Sequence, residues 1–255
     1  MRIYGIQLDI VWEDKEANFR KVETLLGQVR PEPGSLVVLP EMFATGFSMN
    51  LRQTQERRRS ITEDRLEKWA RQYDIFLIAG VVRTVIGGAA TNEAVLFDPR
   101  GHLVGHFAKL HPFPLVKEGD FYRPGNEIVT WRIQNWVVAP FLCYDLRFPE
   151  VFRMAMRQGA IFYVILANWP ASRMDHWRIL LRARAIENQA YVLGVNRCGE
   201  DPNTRYAGGS MLVSPKGEVL VELGEGESIL RAEIQPEGVQ QYRQEFPVLP
   251  STRFV

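Results

Sequence analysis

Hydrophobic and polar positions in this chain alternate between the period of a strand and the period of a helix. Residues 2–10 alternate apolar and polar side chains, which predicts a strand, and residues 14–29 carry an apolar face with helical spacing. The same patterns predict further helices at 62–73, 149–158 and 174–189. They predict further strands at 35–39, 75–82, 93–97, 102–107, 128–133, 136–142, 161–167, 191–196, 208–213, 218–222 and 228–234. Residues 42–59 and the Pro- and Gly-rich residues 110–127 are predicted loops.

The order of these elements predicts the fold class. Strands and helices alternate in both halves of the chain, with hairpins between, which indicates two sheets covered by helices in a layered α/β sandwich with a pseudo-twofold. A length of 255 residues suits one large domain spanning 1–255. The tail at 235–255 is rich in aromatic residues, so we expect it to pack against the domain or a partner subunit.

Composition excludes several classes of protein. With 31 basic and 30 acidic residues, the chain has no charge excess that would favour nucleic acid or an anionic membrane. No apolar run is long enough to span a bilayer, and the N-terminus lacks a cationic and apolar leader. The two cysteines argue against a disulfide framework and a metal site. Together these features predict a soluble cytoplasmic protein without a cofactor, in a compartment that keeps thiols reduced.

Cys143 is a candidate nucleophile at the end of the apolar strand 136–142. The Arg-Phe-Pro-Glu segment that follows predicts the start of a helix, whose positive end would favour a thiolate. Taken alone, however, a cysteine at such a position is typical of a small core residue, because free cysteines are among the most buried residue types.

Two other reactive side chains occupy the same kind of position. Glu41 follows strand 35–39, and Lys109 follows strand 102–107. In open α/β sheets chemistry collects beyond the carboxyl ends of the strands. A carboxylate, an ammonium and a thiol in these places therefore predict a single site, although Glu41 and Lys109 could each be a solvated strand end.

Three motifs resemble the carbon–nitrogen hydrolase, or nitrilase, superfamily: Leu-Pro-Glu-Met-Phe at 39–43, Ala-Lys-Leu-His-Pro-Phe at 108–113 and Cys-Tyr-Asp-Leu-Arg-Phe-Pro at 143–149. Segments 40–49, 167–173, 184–191 and 242–247 are similar to its ω-amidase branch, which acts on 2-oxoglutaramate and 2-oxosuccinamate. The resemblance implies a four-layer α-β-β-α sandwich with two pseudo-symmetric halves, and a homodimer or higher oligomer. The helix at 174–189 and the tail are candidates for the subunit interface.

The resemblance also implies residue roles. Glu41 would accept the proton of Cys143, whose sulfur would form a thioester with the substrate. Lys109 and the backbone N–H of Tyr144 would bind the oxyanion. A second glutamate, Glu118, would hold Lys109, with Asp120 as the alternative for that position.

Substrate binding calls for further groups. The free carboxylate of a dicarboxylate monoamide would fit a guanidinium, and Arg147 and Arg173 follow strand ends, although each could instead make an ordinary ion pair. Phe43 and Trp169 would be apolar walls of the pocket, unless they belong to the core.

Other interpretations remain at this stage. A Cys–His pair with His176 or His111 as base is the rival catalytic arrangement. The rival functions are another carbon–nitrogen hydrolase, acting on an N-carbamoyl acid, a nitrile or a deaminated peptide, and a non-catalytic binding protein of the same fold.

Overall fold

Two stacked β-sheets form the centre of the molecule. The computed structural model describes residues 1–56, 60–85, 87–251 and 253. In chain order, the strands are β1 (Arg2–Gln7), β2 (Leu36–Val38), β3 (Phe76–Thr84), β4 (Ala90–Phe97), β5 (Leu103–Ala108), β6 (Trp131–Ile133), β7 (Trp136–Leu142), β8 (Phe162–Ala167), β9 (Tyr191–Asn196), β10 (Cys198–Glu200), β11 (Arg205–Ala207), β12 (Met211–Val213), β13 (Val219–Glu222) and β14 (Ser228–Glu233). The helices are α1 (Lys15–Val29), α2 (Leu51–Thr54), α3 (Ile61–Tyr73), α4 (Pro149–Arg157), α5 (Met174–Asn188) and α6 (Glu237–Glu245).

The two sheets are built on the same plan. The first has the order β14-β1-β2-β3-β4-β5, with β1, β2 and β3 parallel to one another. The second has the order β13-β12-β9-β8-β7-β6, with β7, β8 and β9 parallel. The remaining strands pair antiparallel on both sides. This correspondence confirms the predicted pseudo-symmetric halves.

Helices cover the outer face of each sheet. On the first sheet, Phe19 of α1 and Trp69 of α3 are buried in one apolar cluster with Val37 of β2. On the second, Phe152 of α4 and Trp177 of α5 belong to a larger cluster that also reaches the first sheet. The α-β-β-α sandwich is thus confirmed. Within the described ranges, no helix is long and apolar enough to cross a membrane.

The sequence patterns did not predict several short elements. The hairpin of β10 and β11 and the single turn of α2 are too short to establish a period, and the tail at 235–255 contains the helix α6. The first strand ends at Gln7 rather than at residue 10, and α3 begins at Ile61 because the hydroxyl of Ser60 caps it by accepting from the N–H of Glu63. Residues 57–59 of the predicted loop lie outside the described residues.

Hydrogen bonds from side chains to backbone carbonyls join the C-terminal segment to the end of α5 and to the residues before β8. The guanidinium of Arg243 on α6 donates to the carbonyls of Ala160, Asn188 and Gln189 at 3.0–3.2 Å. The Gln189 side chain in turn donates to the carbonyl of Phe246 at 2.7 Å. These hydrogen bonds hold α6 against the second half of the chain.

Candidate active site

A buried ammonium lies between two carboxylates where the first sheet ends. Lys109 Nζ is 2.9 Å from Glu41 Oε1 and 2.9 Å from Glu118 Oε2, and all three residues are at most 2% exposed. Burial opposes the charge of Lys109, but the charges of Glu41 and Glu118 raise its pKa well above the usual value. Lys109 is therefore a fixed cation. Asp120, the alternative to Glu118, is exposed.

Two asparagine side chains orient the carboxylates. Asn92 Nδ2 donates to Glu41 Oε1 at 2.8 Å and to Glu118 Oε1 at 2.9 Å. The backbone N–H of Asn168 donates to Glu41 Oε2 at 3.0 Å, and its side chain donates to the Glu41 carbonyl at 2.7 Å. Neither asparagine was among the predicted site residues. Asn168 lies in the segment 167–173 already noted, whereas Asn92 had no comparable signal in the sequence.

Cys143 is the first residue of a 3₁₀ turn, Cys143–Arg147, directly after β7. Its φ of +40° places it in the left-handed region, and Sγ donates to the Asn168 carbonyl at 3.8 Å. Burial of the sulfur, and then the Glu41 charge, raise the pKa of Cys143 well above its usual value. The prediction that a helix end favours the thiolate is wrong, because desolvation and a nearby carboxylate outweigh one short turn.

The turn after Cys143 is tied to the loop after Lys109. The buried carboxylate of Asp145 accepts from the N–H of Leu142 at 3.2 Å and from the N–H of His111 at 2.9 Å. Tyr144 lies in the first turn, where a backbone N–H has no partner within the helix. This N–H and the Lys109 ammonium are candidate donors to an oxyanion.

Neither histidine of the rival Cys–His arrangement is paired with the sulfur. His111 Nδ1 is 2.8 Å from Asp145 Oδ1, and its ring stacks on Phe148 with the centroids 3.7 Å apart. His176 is exposed, and its Nδ1 lies 3.3 Å from Arg147 Nη1. The charged groups that act on Cys143 include the Glu41, Lys109 and Glu118 side chains instead.

A small pocket opens beside Cys143. It encloses about 80 Å³, and aromatic and cationic side chains dominate its walls. Its lining includes Phe47, Phe113, Cys143, Tyr144, Arg147, Asn168, Trp169, Arg173, Thr204 and Tyr206. The described residues contain no group of three or more His, Cys, Asp or Glu side chains that could hold a metal ion.

Arg147 and Arg173 meet at this pocket. The Arg147 guanidinium lies 4.6 Å from the centroid of the Trp169 ring, and that of Arg173 lies 5.6 Å from the Phe113 ring. Burial and the Arg173 charge lower the pKa of Arg147. Among the described residues, neither guanidinium has a carboxylate within 4.0 Å. Two adjacent cations without a counter-ion form a site suited to an anion.

Comparisons with known proteins decide the family. The carbon–nitrogen hydrolase family model matches residues 5–244. The chain belongs to the carbon–nitrogen hydrolase family. It is 38% identical to "Omega-amidase YafV" of Yersinia enterocolitica over 99% of this chain and 96% of the relative. It is 32% identical to "2-oxoglutaramate amidase" of Bacillus subtilis over 97% of this chain and 96% of the relative.

Solved structures of this family share the fold. The CN-hydrolase superfamily protein XC1258 of Xanthomonas campestris, which carries an arsenic adduct in its active site, has a TM-score of 0.92 and 29% identity over 100% of this chain and 98% of that one. Saccharomyces cerevisiae Nit3 has a TM-score of 0.90 and 26% identity over 100% and 97%. This carbon–nitrogen hydrolase is accordingly an enzyme that acts on non-peptide C–N bonds.

Phe43, a predicted pocket wall of this hydrolase, lies in the apolar core instead. Phe43 is fully buried and packs against Phe19 and Trp69, with ring centroids 6.1 and 6.3 Å apart, so the prediction that it lines the pocket is wrong. Phe47, four residues further on, lines the pocket instead, with Lys109 Nζ 4.9 Å from its ring centroid. The chain turns at Gly46, whose φ is +75°. The sequence of this segment therefore does not show whether Phe43 or Phe47 faces the pocket.

Proposed function

We propose that this hydrolase removes the ω-amide from small dicarboxylate monoamides such as 2-oxoglutaramate and 2-oxosuccinamate, and releases ammonia and the dicarboxylate. The observation that carries the proposal is the pair of guanidiniums, Arg147 and Arg173, that face the pocket beside Cys143 without a carboxylate partner among the described residues. The names of the relatives, omega-amidase and 2-oxoglutaramate amidase, support the same substrate class.

In the first half of the proposed reaction, Glu41 accepts the Cys143 proton as the sulfur attacks the amide carbon. The carbonyl electron pair moves to oxygen, and the oxyanion is bound by the Lys109 ammonium and the Tyr144 N–H. Glu118 supports this step because it keeps Lys109 charged and in place, 2.9 Å from its own carboxylate. Collapse of the intermediate breaks the C–N bond, and Glu41 returns the proton to the departing nitrogen, which leaves as ammonia.

In the second half, water hydrolyses the resulting thioester. Glu41 takes a proton from the water, and the hydroxide adds to the thioester carbon. The oxyanion again forms beside Lys109 and Tyr144. The C–S bond then breaks, the acid leaves, and Cys143 regains its proton. One carboxylate therefore serves as base twice and as acid twice, which requires the fixed orientation that Asn92 and Asn168 supply.

Alkylation by iodoacetamide tests the neutral thiol. We expect slow labelling of Cys143 near neutral pH and a rate that keeps rising beyond pH about 8.5, the ordinary thiol pKa, because burial and Glu41 raise the pKa of this group. The control is Cys143→Ala, which leaves Cys198, a buried thiol whose pKa burial raises to about 12. A rate that levels off near neutral pH would contradict the neutral thiol, and absence of protection by substrate would favour the non-catalytic alternative.

Ammonia release from a panel of amides tests the substrate class. We expect turnover of 2-oxoglutaramate or 2-oxosuccinamate, and Arg147→Gln should lower kcat/KM for these acids by roughly 10–100-fold, the worth of a charge-assisted hydrogen bond. The effect on the corresponding methyl ester amides should be much smaller. Arg178→Gln is the matched control, because Arg178 pairs with Glu222 and does not line the pocket.

The panel also includes the competing substrates. One relative, 32% identical over 93% of this chain, is named "Deaminated glutathione amidase". A preference of this hydrolase for deaminated glutathione, an N-carbamoyl acid or a nitrile over both oxo-amides would replace the proposed substrate class. No turnover of either oxo-amide at millimolar concentration would remove it.

The proposal extends to assembly and location. The exposed apolar side chains Ile179 and Ile186 on α5 support a homodimer or higher oligomer formed through this helix, which light scattering would measure. The free thiols Cys143 and Cys198 support work in the cytoplasm, where thiols stay reduced.

A further inference from the structure

The hairpin of β10 and β11 forms a wall of the pocket to which the proposed reaction assigns no role. Thr204 and Tyr206 both line the pocket that contains Cys143. Thr204 immediately precedes β11 and Tyr206 lies on it, so an extended backbone would direct both side chains to one face. Arg205 between them is exposed and pairs with Glu225. The hairpin therefore contributes one hydroxyl-bearing residue and one aromatic residue to the pocket wall.

Tyr206 is held in place by its own hairpin. Its hydroxyl donates to Asp201 Oδ2 at 2.7 Å, and only 5% of the residue is exposed. Burial, and then the hydrogen bond to Asp201, raise the pKa of Tyr206 well above its usual value, so it remains a neutral donor. Asp201 also accepts from the N–H of Asn203 at 2.8 Å, and its own N–H donates to the Thr204 carbonyl at 2.9 Å. The tyrosine thus fixes the turn that carries Thr204.

A buried arginine anchors the hairpin to the rest of the molecule. The Arg197 guanidinium lies 4.3 Å from the Tyr206 ring centroid and is fully buried. It donates at 3.0 Å to the carbonyls of Cys198 and Glu200 in the hairpin and to the carbonyl of Ile10, which follows the first strand. These three hydrogen bonds offset part of the cost of burying the Arg197 charge and join the hairpin to the segment after β1.

The Thr204 hydroxyl makes no side-chain hydrogen bond within the described part of the chain, although its backbone N–H and carbonyl both bond to Asp201. Most of the other polar groups of the pocket have roles already. Arg147 and Arg173 face the substrate carboxylate in the proposed function, and the Asn168 side chain donates to Glu41. The neutral hydroxyls of Thr204 and Tyr144 therefore remain beside walls made largely of aromatic rings.

We propose that Thr204 is a specificity-determining residue that donates a hydrogen bond to the 2-oxo oxygen of the substrate, with Arg197, Asp201 and Tyr206 as positioning residues. The inference rests on the proposed function, in which the two ends of the substrate are bound at Cys143 and at the arginines. The carbonyl between those ends can only accept a hydrogen bond, and the Trp169 N–H and Tyr206 O–H already donate to Arg173 and Asp201. A substrate without the oxo group would leave the hydroxyl unused.

The test compares 2-oxoglutaramate with glutaramate, the monoamide of the same length without the oxo group. Thr204→Val keeps the shape but removes the hydroxyl, and it should lower the ratio of kcat/KM for the two substrates roughly 10-fold, the worth of one hydrogen bond to a desolvated group. Thr204→Ser keeps the donor and should change the ratio no more than about twofold. An unchanged ratio in Thr204→Val would overturn the inference.

Tyr206→Phe separates positioning from general support of the fold. It keeps the ring on Arg197 but removes the bond to Asp201, so it should lower the same ratio, chiefly through KM for the oxo substrate. Loss of stability alone would lower the Tm and reduce kcat/KM for both substrates together, with the ratio unchanged, which would contradict the positioning role. If the wild-type enzyme hydrolyses glutaramate with the same kcat/KM as 2-oxoglutaramate, the inference fails, but the proposed amidase activity stands. If it hydrolyses neither, the proposed function fails as well.

Discussion

Glu41→Gln should reduce kcat/KM for the oxo-amides by about 10³–10⁴-fold, the upper range for one general acid–base group. The loss is large because Glu41 transfers the proton in both halves of the proposed reaction. The amide introduced by this substitution cannot accept a proton from Cys143, and its NH2 group would face N–H donors that now bind the Glu41 carboxylate. Ammonia release measures the activity, and thermal unfolding with circular dichroism establishes that the variant remains folded.

His176→Ala is the control for this variant, since His176 is the exposed candidate of the rival Cys–His arrangement. Its kcat should change by less than about twofold, with any effect appearing in KM through the contact with Arg147 at 3.3 Å. The reverse result, an active Glu41→Gln enzyme and an inactive His176→Ala enzyme, would transfer the role of base to the histidine.

Gly80→Ala should destabilise the protein by about 3 kcal/mol or more and abolish activity. A Cβ on Gly80 would lie 2.3 Å from Glu41 Cα and 2.7 Å from both the Met42 nitrogen and the Pro40 oxygen. These are backbone atoms of the segment that carries Glu41, so they cannot rotate away. The same segment is joined to β3 by hydrogen bonds from Gly80 N–H to the Pro40 carbonyl and from Phe43 N–H to the Gly80 carbonyl, both 3.1 Å long.

Gly27→Ala is the matched control for the same chemical change. Gly27 is exposed on α1, and the nearest atom to its added Cβ is the Tyr73 hydroxyl at 4.0 Å. Alanine there should stabilise the helix by about 0.5–1 kcal/mol, because glycine loses more backbone entropy on folding. Urea unfolding measures both variants. A Gly80→Ala protein as stable and active as wild type would show that the backbone beside Glu41 can move.

The positions of the reactive groups could be predicted from the sequence because each is a local feature. Glu41, Lys109 and Cys143 each follow an apolar run. The end of such a run predicts the end of a strand from the local sequence alone. The resemblance then predicted Glu118, and the structure has Lys109 Nζ 2.9 Å from this side chain while Asp120 is exposed. Arg147, Arg173 and Trp169 likewise line the pocket.

Other parts of the site could not be predicted because they depend on segments far apart in the chain. Glu41 and Asn168 are separated by 127 residues, and Glu41 and Asn92 by 51, yet they form hydrogen bonds. Whether Phe43 or Phe47 faces the substrate depends on how the chain turns between them. The hairpin with Thr204 was missed because each of its strands has three residues, fewer than a period requires.

The amino-acid order alone determined the strand and helix succession, the two similar halves and the reactive residues at strand ends, because hydrophobic period and turn residues act over a few positions. Only the tertiary structure decided the charge state of the reactive groups. Burial by distant segments raises the pKa of Cys143, and two carboxylates from separate loops keep Lys109 charged, since desolvation and Coulomb interaction depend on distance in space.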